Sequence, residues 1–193
     1  MPTALFARAD SVYKQDPTLD VYDIDRDARK WPGGTTVIAH PPCRAWGGLR
    51  HMAKPRPDER DLGLWAVQQV RLWGGVLEHP ANSTLFPTCG LPLPSEGPDS
   101  FGGWTLAVEQ FHWGHRAAKK TWLYIVGCSL ENIPTVPVRQ GTPTHVVGTS
   151  LRKGKQGWRP RVTNAEREHT PPALATWLTD LARRCSAPTP PLN

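Results

Sequence analysis

Short, mainly apolar runs recur along the chain, and each one ends in proline, glycine or acidic residues. Runs of this length with such breaks predict buried strands rather than helices. We predict strands at residues 3–7, 20–22, 36–39, 76–77 and 122–126. The strands alternate with helical or irregular crossovers, which is typical of an α/β protein with a mostly parallel sheet.

Two segments carry the period of an amphipathic helix. In residues 58–73 apolar side chains recur at spacings of three and four, acidic residues open the segment and Arg71 lies near its end, as the helix dipole favours. Residues 173–184 form the second predicted helix, with Thr170 as its N-cap and proline in its first turn. A single helical turn is expected at 163–169.

The remaining chain is rich in proline and glycine and is expected to be irregular. This applies to residues 82–103 and 131–161, whereas residues 105–113 are either a strand with polar positions or a short helix leading into one. We therefore predict a loop-rich α/β fold with flanking helices. It forms one compact domain over residues 1–185, followed by a proline-rich tail at 186–193.

The strand at 36–39 leads into His40-Pro41-Pro42-Cys43, which we interpret as a rigid elbow. The prolines fix their own φ angles and offer no N–H groups, so the strand stops abruptly and Cys43 follows at its carboxyl end. In open α/β sheets, ligands bind at this edge. A free cysteine is also a common core residue, so a catalytic thiol and a buried structural one both stay open.

A second strand end offers a carboxylate, because Glu78 follows the strand at 76–77. A thiol and a carboxylate at neighbouring strand ends form a candidate nucleophile and acid or base. Basic side chains favour a thiolate, and the candidates are Arg44, Arg116, Lys119 and Lys120. A thiolate that adds to C6 of a pyrimidine ring makes C5 nucleophilic when an acid assists at N3, and this chemistry alkylates pyrimidines at C5.

Composition narrows the classes of function. The chain of 193 residues has a formal net charge of +6, which permits a polyanionic partner. No apolar run reaches the roughly 20 residues that a membrane span needs, and the first residues lack the pattern of a secretory signal. We therefore expect a cytoplasmic protein without a membrane partner. The four cysteines show no CxxC pair, which favours reduced thiols.

A basic segment that contains one aromatic residue lies between residues 152 and 161. Its members are Arg152, Lys153, Lys155, Trp158, Arg159 and Arg161. Cations in such a loop contact phosphates and a tryptophan stacks on bases, which suits DNA or single-stranded nucleic acid as a partner. A solvated surface loop has the same composition, so both interpretations stay open.

Six segments, in their order along the chain, resemble motifs of the DNA cytosine-5 methyltransferases in a short, bacteriophage-type form. The segments are residues 3–14, 21–28, 40–43, 78–80, 113–127 and 170–181. His-Pro-Pro-Cys at 40–43 is similar to the Pro-Pro-Cys nucleophile motif, and Glu-His-Pro at 78–80 stands where the family has Glu-Asn-Val. The resemblance implies a reduced Rossmann-like methyltransferase fold and a cytosine-5 methyltransferase-like activity with S-adenosyl-L-methionine as cofactor.

The resemblance also implies roles for particular residues. Cys43 would attack C6 of the base, and Glu78 would bind and protonate its N3 face. Basic assistance would come from Arg116, Lys119 or Lys120, with the choice open; we place Arg116 and Lys120 in the catalytic set. The cofactor site would comprise Phe6, Asp10, Asp23, Asp25 and Pro41, and nucleic acid would be contacted by Arg44, Arg50, Lys119, Arg152, Lys153, Lys155, Trp158 and Arg159.

Two departures from the family widen the range of functions. Arg8, Asp10 and Ser11 stand where the family has glycines that approach the cofactor. Only 35 residues lie between Gly127 and Thr163, where the family has a target-recognition domain. Another donor, a single-stranded or loosely read duplex substrate, and a free pyrimidine nucleotide therefore all stay open. A second copy of this chain, in a homodimer, or a different chain could supply the missing recognition domain.

Other interpretations compete with a base-modifying enzyme. A nucleic-acid-binding protein that has lost the cofactor site predicts steep salt dependence and no covalent chemistry. A metal-dependent protein is a third class, with His40, Cys43, His79, Cys89, His112 and His115 as candidate ligands. Such scattered pairs are weak evidence, so we assign no metal site. Simpler roles are a surface ion pair for Glu78 and helix capping for Asp23 and Asp25.

Overall fold

A six-stranded sheet lies at the centre of the computed structural model, which describes residues 1–188. Its strands are β1 (Thr3–Leu5), β2 (Asp20–Tyr22), β3 (Val37–Ala39), β4 (Gly75–Pro80), β5 (Trp104–Glu109) and β6 (Lys120–Val126). They lie in the order β2-β1-β3-β4-β6-β5, with β1 to β4 parallel and β6 antiparallel to both β4 and β5. The predicted α/β fold with a mostly parallel sheet is confirmed.

Two helices cover the two faces of the sheet. Helix α1 (Glu59–Trp73) packs on one face with Ala39 and Leu77, and the last helix, α4 (Pro172–Arg184), packs on the other face with Ile38. Successive residues of a strand point to opposite faces, so each short strand contributes to both cores. Neither these helices nor any other helix in residues 1–188 has the length and apolarity needed to cross a membrane.

The predicted helices agree with the structure, with one correction at a helix start. Helices α1 and α4 begin within one residue of the predicted positions, and α3 (Asn164–Glu168) is the single turn expected at 163–169. The assignment of Thr170 as the N-cap of α4 is wrong. Pro171 directly precedes the helix and makes no side-chain cap, because the helix begins at the second of two prolines.

The structure corrects one segment that was predicted to be irregular and decides between two alternatives in the next. A short helix, α2 (Leu85–Thr88), interrupts residues 82–103 and buries two of its side chains. Of the two alternatives for residues 105–113, the strand is confirmed as β5, and the helical part follows it as a 3-10 turn at Gln110–Trp113 instead of preceding it. Residues 189–193 of the predicted tail lie outside the described part of the chain.

Strand β4 extends beyond the apolar run at 76–77, and this extension positions Glu78. Strands β3 and β4 pair only as far as Ala39 and Leu77, whereas β4 continues beside β6 through Pro80. Glu78 therefore lies just past the end of β3, where the chain leaves the sheet towards Cys43. This is the carboxyl edge of the parallel strands, where ligands bind in open α/β sheets.

Candidate active site

The turn after β3 presents Cys43 at the surface. The His40 N–H donates to the Leu5 carbonyl at 3.1 Å, which ties the end of β3 to β1. The Cys43 carbonyl accepts the N–H groups of Trp46 at 3.0 Å and Gly47 at 2.8 Å, so the chain folds back at once. Trp46 is fully buried and anchors the turn, while Cys43 is exposed.

Glu78 is held by one donor on each carboxylate oxygen. His40 Nδ1 lies 3.1 Å from Oε2, and Gln110 Nε2 donates to Oε1 at 2.9 Å. Only 14% of the Glu78 side chain is exposed. Burial by itself raises the pKa of Glu78, but the hydrogen bond and charge of His40, together with the charge of Lys119, lower it to about 2. Glu78 is therefore an ionised carboxylate at neutral pH.

Both donors to Glu78 are themselves fixed by a further hydrogen bond. The Tyr13 hydroxyl lies 2.9 Å from His40 Nε2, and Gln110 Nε2 also donates to Thr121 Oγ1 at 3.0 Å. Tyr13 and Gln110 are buried, and burial raises the pKa of Tyr13 well above its usual value. The phenol therefore keeps its proton. The connected side chains give Glu78 one orientation at the sheet edge.

The charges around Cys43 oppose one another. Partial burial of the sulfur and the carboxylate of Glu78 raise the pKa of the thiol, whereas Lys119 and Arg167 lower it. The net effect is an increase, so Cys43 is mainly a neutral thiol at pH 7. Cys43 and Glu78 lie where two adjacent parallel strands end, and Lys119 directly precedes β6, which is antiparallel to β4, so the three residues form one cluster at the carboxyl edge of the sheet.

Lys119 is the basic residue of this cluster. Its ammonium group donates to the His169 carbonyl at 3.1 Å. Burial lowers the pKa of Lys119, and the charges of Glu78 and Cys43 oppose that decrease. Its φ angle of 42° is unusual for a residue with a side chain, and such backbone strain occurs preferentially at functional sites.

The structure does not bring Arg116 and Lys120 into the cluster. Arg116 forms a two-point ion pair with Glu166, in which Nε lies 2.8 Å from Oε1, and its guanidinium also lies 3.1 Å from the ring of His145. Lys120 is the exposed first residue of β6 and pairs in register with Glu109. Of the three basic candidates that the sequence left open, the structure favours Lys119.

Ion pairs close the turn after β1, where the resemblance implies the cofactor. The Asp10 carboxylate lies 2.9 Å from Arg8 Nε and 3.0 Å from His169 Nε2. Arg8 also pairs with Glu168, at the end of α3, at 2.5 Å. These contacts join the turn to α3. They also engage the Asp10 carboxylate, which the cofactor would need as a hydrogen-bond acceptor.

The assignment of Asp23 and Asp25 as helix caps is wrong, because Asp27 caps the short 3-10 helix at Ala28–Lys30 and Asp23 instead holds the turn after β2. Asp23 Oδ1 accepts the N–H groups of Asp25 and Arg26, both at 3.0 Å, and its Oδ2 pairs with Lys14. The Asp25 side chain is exposed. Both oxygens of the buried Asp23 carboxylate are therefore occupied by the protein, which leaves little capacity for a ribose hydroxyl.

The two remaining residues assigned to the cofactor are apolar and packed against the protein. Phe6, with a φ angle of 62°, meets Trp65 edge-on with ring centroids 5.8 Å apart, and Pro41 is buried. Together with the engaged carboxylates, they do not fit S-adenosylmethionine in the way that the resemblance implies.

The basic segment between 152 and 161 is anchored beside the cluster. Isolated bridges join Ala117 to His145 and Val146 to Arg161, so the base of the loop lies against the segment that leads to Lys119. Its exposed cations are Arg152, Lys153, Lys155 and Arg161, Trp158 is exposed as well, and Arg159 is half-buried.

The other two proposed nucleic-acid contacts follow Cys43 in the chain. Arg44 forms a two-point ion pair with the fully buried Glu59 of α1, with Nε 3.0 Å from Oε2, so it fixes the loop to the helix. Arg50 is exposed and close only to the carbonyl of Gly47, at 3.5 Å. Arg44 therefore has a structural role, whereas Arg50 is accessible to a ligand.

A metal site finds no support in the described residues. Across residues 1–188 no group of three or more His, Cys, Asp or Glu side chains is arranged to hold a metal ion. Both ring nitrogens of His40 are engaged by Tyr13 and Glu78, and His112 Nδ1 accepts the Arg139 N–H at 3.1 Å.

His79 is buried in an uncharged form on the opposite face of β4 from Glu78. Its side chain is fully buried, and in the described part of the chain neither ring nitrogen has a hydrogen-bond partner. Burial lowers the pKa of His79 to about 4. An unfolded histidine has a pKa near 6.5, so protonation favours the unfolded chain.

Acidification from pH 7 to pH 4 is expected to reduce the free energy of unfolding by about 3 kcal/mol through His79 alone. The contribution is complete above pH 6.5 and disappears as the pH falls towards 4, because only the unfolded state takes up the proton in that range. Urea unfolding at several pH values should show this slope in the wild type and a much flatter one in His79→Leu. The exposed His51→Leu is the control; an unchanged slope in His79→Leu contradicts the assignment.

Four residues at the site had no assigned site role in the sequence analysis. Tyr13 and Gln110 orient the Glu78 network, the charge of Arg167 lowers the pKa of the Cys43 thiol slightly, and His40, considered only as a metal ligand, contacts Glu78. The position of His40 before Pro-Pro-Cys was the one available signal. The other three lie far from Cys43 in sequence.

Comparisons of the chain with protein-family models, with curated proteins and with solved structures gave no match.

Proposed function

We propose that the protein is an enzyme that modifies pyrimidine bases at C5 through a covalent bond between Cys43 and C6 of the ring. One observation carries the proposal: an exposed thiol, an oriented carboxylate and a lysine lie at the same edge of the sheet, after β3, at the end of its pairing with β4 and before β6. Nucleophile, acid or base and cation are the groups that this chemistry needs. The proposed class is a nucleic-acid pyrimidine C5-modifying enzyme whose covalent step is like that of the DNA cytosine-5 methyltransferases.

The proposed reaction begins when the Cys43 proton leaves to solvent. The sulfur electron pair forms the Sγ–C6 bond, and the C5–C6 π pair is delocalised over C5 and the acceptor atom conjugated through C4, which is O4 in uracil and N3 in cytosine. Lys119 stabilises this negative charge, while Glu78 binds the N3 face. A proton or another electrophile then adds at C5. Loss of the original C5 hydrogen returns electrons to the ring and expels the thiolate.

The reduced Rossmann-like methyltransferase fold belongs to this proposal. Its support is that β1, β3 and β4 are adjacent and parallel, so the segments at 3–14, 40–43 and 78–80 open on one edge. When bound, S-adenosylmethionine would supply a methyl group for C5. Because the residues implied for it do not fit, no step of the proposal uses it.

The proposed substrate is a base in DNA or another nucleic acid, because the exposed basic loop is anchored beside the cluster. Phosphates would contact its cations and a base would stack on Trp158. A base within a duplex would have to be flipped out to reach Cys43, so a single strand is the simpler substrate.

Hydrogen exchange at C5 tests the proposed function without a donor. Single-stranded oligonucleotides are incubated with the protein in D₂O, and deuterium at C5 of their pyrimidines is measured by mass spectrometry. The proposal predicts exchange well above that of protein-free samples. No exchange above background, with a folded protein that binds the oligonucleotide, contradicts it and favours the nucleic-acid-binding alternative, which the ion pairs closing the β1 turn support.

Replacement of Lys119 by Met is expected to slow C5 exchange about a hundredfold, because it removes the cation that stabilises the charge developing on the ring. Lys120→Met is the matched variant, one residue further along the chain, and should have a much smaller effect. Exchange rates and melting temperatures are measured for both. A larger loss of rate in Lys120→Met than in Lys119→Met contradicts the assignment.

Replacement of three of the four exposed loop cations, Arg152, Lys153 and Lys155, by alanine is expected to weaken binding of single-stranded DNA and to flatten its salt dependence. The slope of log affinity against log salt should fall by about 0.7 for each lost phosphate contact. Trp158→Ala is the control in the same loop, because it removes stacking but no charge. Fluorescence anisotropy over a salt series measures both, and an unchanged slope in the triple variant excludes the loop as a phosphate contact.

A further inference from the structure

We infer that the ring this site selects is uracil rather than cytosine, an inference that rests on the proposed C5 chemistry. Each oxygen of Glu78 has a nitrogen partner from the protein: Gln110 Nε2 donates to Oε1 at 2.9 Å, and His40 Nδ1 lies 3.1 Å from Oε2. A carboxylate in this environment accepts hydrogen bonds and has no proton to give. Its remaining lone pairs therefore match a donor on the substrate.

Neither protonation state of His40 changes this conclusion. If the ring is neutral, the Tyr13 hydroxyl donates to Nε2, and the proton on Nδ1 donates to Glu78. If the ring is protonated, both nitrogens donate, to the oxygen of Tyr13 and to the carboxylate. The contacts at 2.9 and 3.1 Å are satisfied in both states, and Glu78 is the acceptor in each. A neutral ring with its proton on Nε2 would instead turn the Nδ1 lone pair towards Glu78 and would need a protonated carboxyl there, and the N–H that Gln110 donates to Oε1 favours the ionised form over that arrangement. The low pKa of Glu78 has the same origin.

The two pyrimidines differ at the atoms that face this carboxylate. Uracil carries a hydrogen on N3 beside the carbonyl oxygen at C4. A carboxylate accepts from N3–H, and a lysine such as Lys119 donates to O4. Cytosine has an unprotonated N3 beside its amino group, so a carboxylate there meets a lone pair and a cation meets a donor. Cytosine needs an additional proton at N3 before it fits.

Because cytosine needs this additional proton, the rate of C5 exchange should depend on pH differently for the two rings. Exchange on uracil requires only that Cys43 loses its proton, so its rate should rise with pH, because the pKa of the Cys43 thiol is raised. Exchange on cytosine requires a deprotonated thiol and a protonated N3 at once. These requirements oppose each other, so its rate should change little as the pH rises.

The test compares C5 deuterium exchange in two single-stranded DNA oligonucleotides that differ by one deoxyuridine or one deoxycytidine. At pH 7.5 we expect exchange on uracil to be at least about tenfold faster, because a mismatched polar group in a binding site costs at least that factor. Glu78→Gln, whose amide both donates and accepts, should reduce the uracil-to-cytosine ratio.

Each outcome of this comparison has one meaning. Faster exchange on uracil, with a reduced ratio in Glu78→Gln, supports the inference. Equal rates, or faster exchange on cytosine, overturn it and leave the proposed function standing. Exchange on neither oligonucleotide overturns the proposed function itself. The wild-type ratio decides between the first two outcomes even if Glu78→Gln fails to fold.

Discussion

Replacement of Cys43 by alanine is expected to reduce C5 exchange by at least about a thousandfold, because no other group in the cluster forms the bond to C6. Stability should change by no more than about 0.5 kcal/mol, since the side chain is exposed and the turn is held by the backbone carbonyl of Cys43. Exchange rates and thermal unfolding of the same preparation measure both quantities.

Cys89→Ala is the matched control for this substitution. Cys89 is a half-buried free thiol that lies outside the cluster of Cys43, Glu78 and Lys119. Its removal should leave exchange close to the wild-type rate. If both variants keep wild-type exchange, the nucleophile is another group and the account of Cys43 is wrong.

Gly75→Ala is expected to destabilise the fold by about 4 kcal/mol or more. Gly75 begins β4 with a φ angle of 122°, and a Cβ atom there would lie 2.0 Å from the Val37 carbonyl oxygen. That oxygen belongs to the neighbouring strand, so relief of the clash would separate β3 from β4. Urea unfolding, or loss of soluble expression, measures the effect.

Gly34→Ala is the control that distinguishes the cost of the steric clash at Gly75 from the cost of its positive φ angle. Gly34 also has a left-handed φ angle, of 96°, but a Cβ atom there would meet nothing within 4 Å. It should therefore cost only about 1–2 kcal/mol, the penalty of the φ angle itself. Equal losses in the two variants would contradict the close packing of β3 against β4.

The sheet edge that carries the candidate site follows from local patterns in the sequence. Apolar runs that end in Pro-Pro-Cys and in Glu-His-Pro place Cys43 and Glu78 after adjacent strands, and the structure has both at one edge. The partners of Glu78 could not be predicted, because Tyr13 and Gln110 reach it only through the packing of distant segments.

The choice between neighbouring basic residues also depends on tertiary structure. Lys119 and Lys120 are adjacent residues of the same type, so the sequence does not distinguish them. In the structure Lys120 is paired within β6, whereas Lys119 has a left-handed φ angle just before that strand. Likewise, an acidic residue directly after a strand, such as Asp23, fits both a cofactor site and a turn that its carboxylate stabilises. Its contacts with Lys14 and with backbone N–H groups favour the turn.

The most direct measurement of the central claim is the intact mass of the protein after reaction with an oligonucleotide that contains a 5-azapyrimidine. The ring nitrogen at position 5 takes up a proton after the thiolate has added to C6, and no C5 hydrogen is present to be lost, so the adduct persists. We predict a mass increase of one oligonucleotide, mapped by peptide analysis to Cys43. An unmodified protein, or an adduct on a different residue, would contradict covalent catalysis by Cys43.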